Sequence, residues 1–180
     1  MIVRAARVED AGGIAKVHVD SWRTTYKGVI PDDFLASLSY ESRSQRWRSM
    51  LSNPTRFAGD FVAEDKTGRI VGFISGGPAQ EPYPVYRGEL YAIYILQEYQ
   101  GQEIGRRLTE ALVGKLLEAG IDNMLVWVLA ENPARKFYEA LGGRLIRTRQ
   151  IEIGGAILDE VAYGWQDINS ILAVRPKDTQ

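Results

Sequence analysis

The chain has 180 residues, 45% of them hydrophobic and 25% charged, and its 22 Lys and Arg against 23 Asp and Glu leave a net charge of −1. This is the composition of one globular domain large enough for a real core; it offers no basic stripe for nucleic acid and no apolar run long enough for a bilayer. The absence of cysteine excludes disulfides, thiolate metal ligands and a cysteine nucleophile, and an N-terminal MIVRAARVED without an apolar leader makes the cytoplasm the expected location.

Ile2–Ala6 reads as a first strand and Asp10–Ser21 as a helix, with Ile14, Val17 and Ser21 at helical spacing. His18, the only histidine, lies on that helix; no further ligand stands at metal spacing, so it reads as a packing residue and no metal is expected. Trp22 and Tyr26 precede a break at Gly28. Pro31 opens a second helix with Asp32 and Asp33 in its first turn, where acids suit the dipole. A third helix spans about Glu41–Leu51 and ends at Asn53-Pro54. Phe57–Glu64 and Arg69–Ser75 read as a hairpin about Asp65-Lys66-Thr67-Gly68. Gly76–Gly88 reads as a long loop, of the kind that often carries function, with Tyr83 and Tyr86 on it.

Glu89–Leu96 is apolar on both alternating faces, as a central strand should be. It runs into a polar turn with glycines and then into a helix whose Leu108, Leu112 and Leu116 form one stripe, ended by Gly120. Met124–Leu129 is a second buried strand. Asn132 is the expected cap of a helix over Pro133–Leu141, with Ala134, Phe137, Tyr138 and Leu141 on one face. Arg144–Ile153 and Ala156–Trp165 form a hairpin about Gly154-Gly155. Residues 1–166 are expected to form one domain and 167–180 a frayed tail.

The strand–turn–helix over Ile93–Leu108, IYILQEYQGQEIGRRL, is the informative stretch. The first N–H groups of a helix have no internal partner and point into the turn, the dipole adds partial positive charge there, and glycines let a guest approach, so the turn is an anion site suited to phosphate. A Rossmann or P-loop reading fails on spacing and on the missing Lys after the glycines. Gln100-Gly101-Gln102-Glu103-Ile104-Gly105 resembles the acetyl-CoA-binding motif of the GNAT superfamily of N-acetyltransferases. Glu103 stands where the family has Gly, and Gln97 replaces its usual Pro. The order of elements over residues 1–166 is similar as well, which implies an α/β (α+β) mixed, twisted sheet of about seven strands with helices on both faces.

The resemblance implies acetyl-CoA as co-substrate and an amine of a small molecule or peptide as acceptor, with a homodimer left open. It also implies that the strands Glu89–Leu96 and Met124–Leu129 splay apart around pantetheine. Ile93, Tyr94 and Ile95 would then offer backbone groups to pantetheine. The turn Gln100, Gly101, Gln102, Glu103, Ile104, Gly105 and Arg106 would cradle the pyrophosphate. Asn132 matches the family's pantetheine-binding Asn, and Tyr138 the general acid that protonates the departing thiolate. Trp22, Arg23, Tyr26 and Tyr83 are candidate acceptor contacts. Glu89, a carboxylate opening an apolar strand, is the candidate base, with Glu131 and Glu160 as weaker ones; a strand-end pair with Arg87 is its structural alternative. A non-catalytic acyl-CoA-binding regulatory module is the alternative reading, kept open by Glu103 and Gln97.

Overall fold

Runs of β-branched and aromatic residues pair side by side in one sheet. A computed structural model describes residues 1–53 and 55–173 of the chain. Its strands are β1 (Ile2–Ala5), β2 (Asp60–Glu64), β3 (Ile70–Pro78), β4 (Gly88–Ile95), β5 (Met124–Leu129), β6 (Arg144–Ile153) and β7 (Ala156–Trp165). Its helices are α1 (Ala11–Thr25), α2 (Asp32–Ser37), α3 (Tyr40–Leu51), α4 (Ile104–Glu118), α5 (Arg135–Ala140) and α6 (Asn169–Ala173). The order β1-β2-β3-β4-β5-β7-β6 makes the expected seven-stranded mixed sheet, in which only β4 and β5 run parallel. No helix among the described residues is long and apolar enough to cross a membrane.

Leu108, Leu112 and Leu116 are fully buried along α4, which covers one face of β2–β4. On α1, Ile14 and Val17 are buried, and with Trp47 of α3, whose ring meets Phe73 edge-on at 5.2 Å, they seal the other face. The central strands touch helices on both sides, which explains their near-continuous apolar runs.

Several elements differ from the sequence reading for steric reasons. Helix α1 continues to Thr25, four residues past Ser21, and stops before Gly28, whose φ of +79° breaks it. Strand β2 starts at Asp60 rather than Phe57: at Gly59 the backbone comes so close to Gly76 that an added Cβ would lie 2.1 Å from the Gly76 carbonyl oxygen, and a single bond from the Gly76 N–H to the Gly59 carbonyl at 3.0 Å stands where the ladder ends. Strand β3 runs on through Gly76 and Gly77 to Pro78, which shortens the expected loop to 79–87. Those glycines are strand residues because Leu112 on one side, and Phe57 and Tyr91 on the other, occupy the space of a Cβ. Helix α5 begins at Arg135, and Pro133 belongs to the turn before it.

Beyond residue 166 the chain does not simply trail off. Ile168 and Ile171 are fully buried in the main core, and α6 lies against α4. The packed unit thus reaches at least Ile171, because an apolar pair three residues apart gives even a one-turn helix a buried face. Pro54 and the expected frayed end over 174–180 lie outside the described residues. Ile171→Ala should cost roughly 2–4 kcal/mol, the usual range for emptying a buried aliphatic site. Urea unfolding measures it, and a change below about 0.5 kcal/mol would show that α6 does not belong to the cooperative unit.

Candidate active site

Strands β4 and β5 pair at three positions only, Gly88 with Met124, Glu89 with Leu125 and Leu90 with Val126. Beyond Leu90 they part. On the β3 side, Ser75 pairs with Ala92 and Gly76 with Leu90, so Tyr91 is an extra residue, a β-bulge at the fork. The Leu96 N–H bonds the Val71 carbonyl at 2.9 Å. Antiparallel residues alternate between facing one neighbour and facing the other, so Ile93 and Ile95 turn their N–H and C=O groups toward the gap. Strand β5 stays fully paired to β7, from Met124 with Trp165 to Leu129 with Glu160, so it does not follow β4.

The gap is a cleft of about 870 Å³. At one end stands the turn into α4. Gly101 and Glu103 are both left-handed, with φ of +73° and +63°. The first helical bond runs from the Arg107 N–H to the Glu103 carbonyl at 3.1 Å. The N–H groups of Ile104, Gly105 and Arg106 therefore have no helical acceptor and open onto the cleft. Gly105 packs closely, since an added Cβ would come within 3.3 Å of the side-chain ends of both Ile95 and Phe137, which would have to shift by a few tenths of an ångström. Arg106 lines the cleft with its Nε held by Glu110 at 2.8 Å. Gln100 also lines it and donates through Nε2 to the Ile95 carbonyl at 3.1 Å, which takes up one of the groups freed by the split.

At the other end, Trp22 and Tyr26 at the end of α1 face Ile151 and Ile153 of the β6–β7 hairpin. The hairpin tip closes on α2, where an added Cβ on Gly154 would lie 2.7 Å from Phe34. Asn132 joins this wall to the floor. Its Nδ2 donates to the Tyr26 hydroxyl at 2.9 Å, and its Oδ1 accepts from the Ala134 N–H at 2.8 Å. The Tyr94 hydroxyl stands 3.5 Å from that of Tyr26. Burial raises the Tyr26 phenol above its ordinary pKa and the Tyr94 phenol well above it.

Tyr138 lines the cleft from α5, only 4% exposed, packed against Phe137, Tyr163 and Trp165. Its hydroxyl has no hydrogen-bond partner among the described residues, and burial holds its pKa well above that of a free phenol. Glu89 is buried but does not line the cleft. Its Oε2 accepts from the Gln80 N–H at 2.8 Å, and burial raises its carboxyl pKa. The strand-end pair with Arg87 is not formed, because Arg87 bonds Asp122 at 2.8 Å instead. Glu160 does line the cleft, with its Oε2 held by Arg149 Nε at 2.8 Å.

The cleft thus gathers Trp22, Tyr26, Ile93, Tyr94, Ile95, Gln100, Gly101, Glu103, Ile104, Gly105, Arg106, Asn132 and Tyr138. It does not gather all the expected residues. Gln102 points out and bonds the Glu98 carbonyl at 3.3 Å, leaving only its backbone to the turn. Tyr83 stands behind the wall and accepts from Trp127 Nε1 at 3.0 Å. Arg23 straps α1 to α2 by donating to the Leu35 and Leu38 carbonyls at 3.2 and 2.9 Å. Trp127, Ile151 and Ile153 line the cleft without having been singled out. Their only sequence signal was strand alternation, which does not say which cavity a strand face will meet.

Glu103 is the only non-glycine residue with positive φ among the described residues. A left-handed conformation costs an ordinary residue about 1–2 kcal/mol relative to glycine. Less the dipole term of about 0.3–1 kcal/mol that the carboxylate contributes, a gain of about 1 kcal/mol is left, so Glu103→Gly should raise Tm by roughly 2–4 °C and leave acetyl-CoA affinity unchanged or modestly tighter, since the backbone N–H stays. Calorimetry reads both quantities; a large loss of affinity would reveal a direct role for the carboxylate.

Residues 19–143 match the model of the acetyltransferase (GNAT) family. The uncharacterised N-acetyltransferase YuaI of Bacillus subtilis is 44% identical over 169 residues, 94% of this chain and 95% of that protein. A mycothiol acetyltransferase of Thermobifida fusca is 33% identical over 131 residues, 68% of this chain and 39% of that one. Among solved structures, a ribosomal-protein-alanine N-acetyltransferase of Brucella melitensis superposes with a TM-score of 0.71 at 23% identity, covering 92% of this chain and 99% of that one. The PaiA N-acetyltransferase of Thermoplasma acidophilum, solved with coenzyme A, gives 0.68 at 20% identity over 88% and 96%. These likenesses agree with the split strands and the glycine turn, and the chain belongs to the acetyltransferase (GNAT) family.

Proposed function

We propose that this enzyme transfers an acetyl group from acetyl-CoA directly to a primary amine of a small molecule or peptide. The observation that carries the reading is the split between β4 and β5, which leaves Ile93 and Ile95 backbone groups and the first N–H groups of α4 along one cleft. An amide-bearing arm ending in a pyrophosphate matches that row of donors and acceptors. The non-catalytic alternative loses its main support, because Glu103 departs from the family pattern only in its exposed side chain and keeps its N–H.

In the step itself the amine nitrogen attacks the thioester carbon, a C–N bond forms, the C–S bond breaks and the amine loses one proton. An N–H of β4 in the gap would stabilise the developing oxyanion. Glu89 is the proposed base. Its raised pKa favours proton capture near neutrality, and its distance from the cleft wall calls for a water between it and the amine. Glu160 is nearer the cleft, but its Oε2 is already held in an ion pair with Arg149. Tyr138 is the proposed acid, with a hydroxyl free to bond the departing sulfur. Burial keeps the phenol protonated at neutral pH. Burial in the same dry site also raises the pKa of the thiolate, so the proton can pass from one to the other.

Coenzyme A should bind and raise Tm with increasing concentration; a calorimetric titration with no heat at millimolar ligand would remove the donor assignment. Tyr138→Phe should lower kcat about 10²–10⁴-fold with acetyl-CoA affinity nearly unchanged. Pre-steady-state kinetics with an accepted amine would check that chemistry limits the rate. An unchanged kcat under that condition would leave Tyr138 a packing residue and water the proton donor.

A further inference from the structure

A second cleft of about 400 Å³ lies on the α1–α3 side of β4. It shares Tyr91 and Ala92 with the main cleft, so the two meet at the bulge where β4 leaves β5. Its walls carry groups that the fold leaves unmet. The side chains of Arg43 and Arg46, three residues apart on α3, form no ion pair or hydrogen bond among the described residues, with Arg46 exposed to solvent. Arg43 is half-buried, and an unpaired charge in that position costs stability unless something neutralises it. His18 Nδ1 is buried with no partner. The third arginine, Arg56, is already held by Asp60 and Ser75. Across the cleft from α3 lies Gln80, whose N–H holds the Glu89 carboxylate.

We propose that this second cleft binds an anionic group of the acceptor, a carboxylate or a phosphate, on Arg43 and Arg46, while the acceptor's amine lies over the bulge between the two clefts. The inference deepens the acetyl-transfer reading and rests on it. An acceptor with a negative end on α3 and an amine end toward Glu89 complements both charges of the site. A guanidinium fork pairs bidentately with carboxylate and phosphate alike. The His18 ring, stacked on Tyr94 at 5.1 Å, walls the cleft beside the two arginines. Because the two clefts share Tyr91 and Ala92, one acceptor can span both, and the spacer length is what the amine series reads.

The test compares kcat/KM for amines with and without an anion. Glycine through 6-aminohexanoate are set against n-alkylamines of matching length, and O-phosphoethanolamine against ethanolamine. The ratio of anionic to neutral acceptor should exceed about ten in the wild type. It should fall about tenfold to a hundredfold in Arg43→Gln/Arg46→Gln, the usual worth of charged hydrogen bonds. The two series separate carboxylate from phosphate. In parallel, inorganic phosphate and acetate are titrated by thermal shift at constant ionic strength with coenzyme A saturating, so that the donor turn is filled. One of them should stabilise the wild type and not the double variant. Equal ratios in the two proteins, or no preference in the wild type, would overturn the subsite. Turnover of neutral amines reads the acetyl-transfer reaction separately. If no amine reacts, the thermal shift decides: stabilisation lost in the double variant supports the anion site, and its absence from the wild type overturns it.

Discussion

The rest of the site depends on one interrupted ladder. A buried strand that stops pairing leaves its N–H and C=O groups without partners, and each such group carries a penalty comparable to a lost hydrogen bond. The fold accepts that penalty along Ile93–Ile95 and keeps the gap open from both sides. Strand β5 is fixed by its complete pairing with β7. Strand β4 is turned by the extra residue at Tyr91, directly after its last pair with β5. Only part of the deficit is met internally, through the Gln100 side chain on the Ile95 carbonyl. What remains is a row of backbone groups whose partner must come from outside the chain.

A small polar cluster also joins the two ends of the site. Tyr26 comes from the end of α1, Tyr94 from β4 and Asn132 from the turn into α5, and their polar atoms meet in one buried cluster. Asn132 has one bond at each end of its amide, which fixes Tyr26 on the proposed acceptor wall and Ala134 at the start of α5, while a second N–H and a second lone pair remain for a ligand in the cleft. Because α5 carries Tyr138, the position of the proposed acid is tied to the acceptor wall through one side chain. Networks of this kind are strong when fully bonded and costly when one member is removed.

The donor half of the site was legible because it is local. The strand, the glycine turn and the start of α4 are consecutive, and their backbone conformation follows from residue types at fixed spacing. The proposed acceptor half is assembled from α1, α2, β5, β6 and β7, which are far apart in the chain. Trp127 reads as one more apolar strand residue, and Ile151 and Ile153 as ordinary alternation, until topology folds their hairpin over α2. Arg43 and Arg46 look in sequence like a solvated helix face; only the tertiary position of α3 places them beside the unmet nitrogen of His18. Glu89 is a candidate by its place at the start of an apolar strand, but the bulge beside it, which bears on where its carboxylate lies relative to the cleft, has no local sequence signal.

Glu103 shows how a local rule can be broken at small net cost. Its left-handed backbone costs about 1–2 kcal/mol. Its carboxylate stands at the N-terminus of α4, where the dipole returns about 0.3–1 kcal/mol for an exposed acid. The side chain is exposed, so it meets no steric obstacle and little desolvation. The dipole offsets part of the cost, and the geometry of the turn is kept because Glu103 itself accepts the left-handed backbone, Gly101 supplies a second left-handed residue and Gly105 sits close against Ile95 and Phe137. The cradle is therefore defined by backbone conformation rather than by the identity of every residue in the motif, which is why a substitution at its centre leaves the anion site in place.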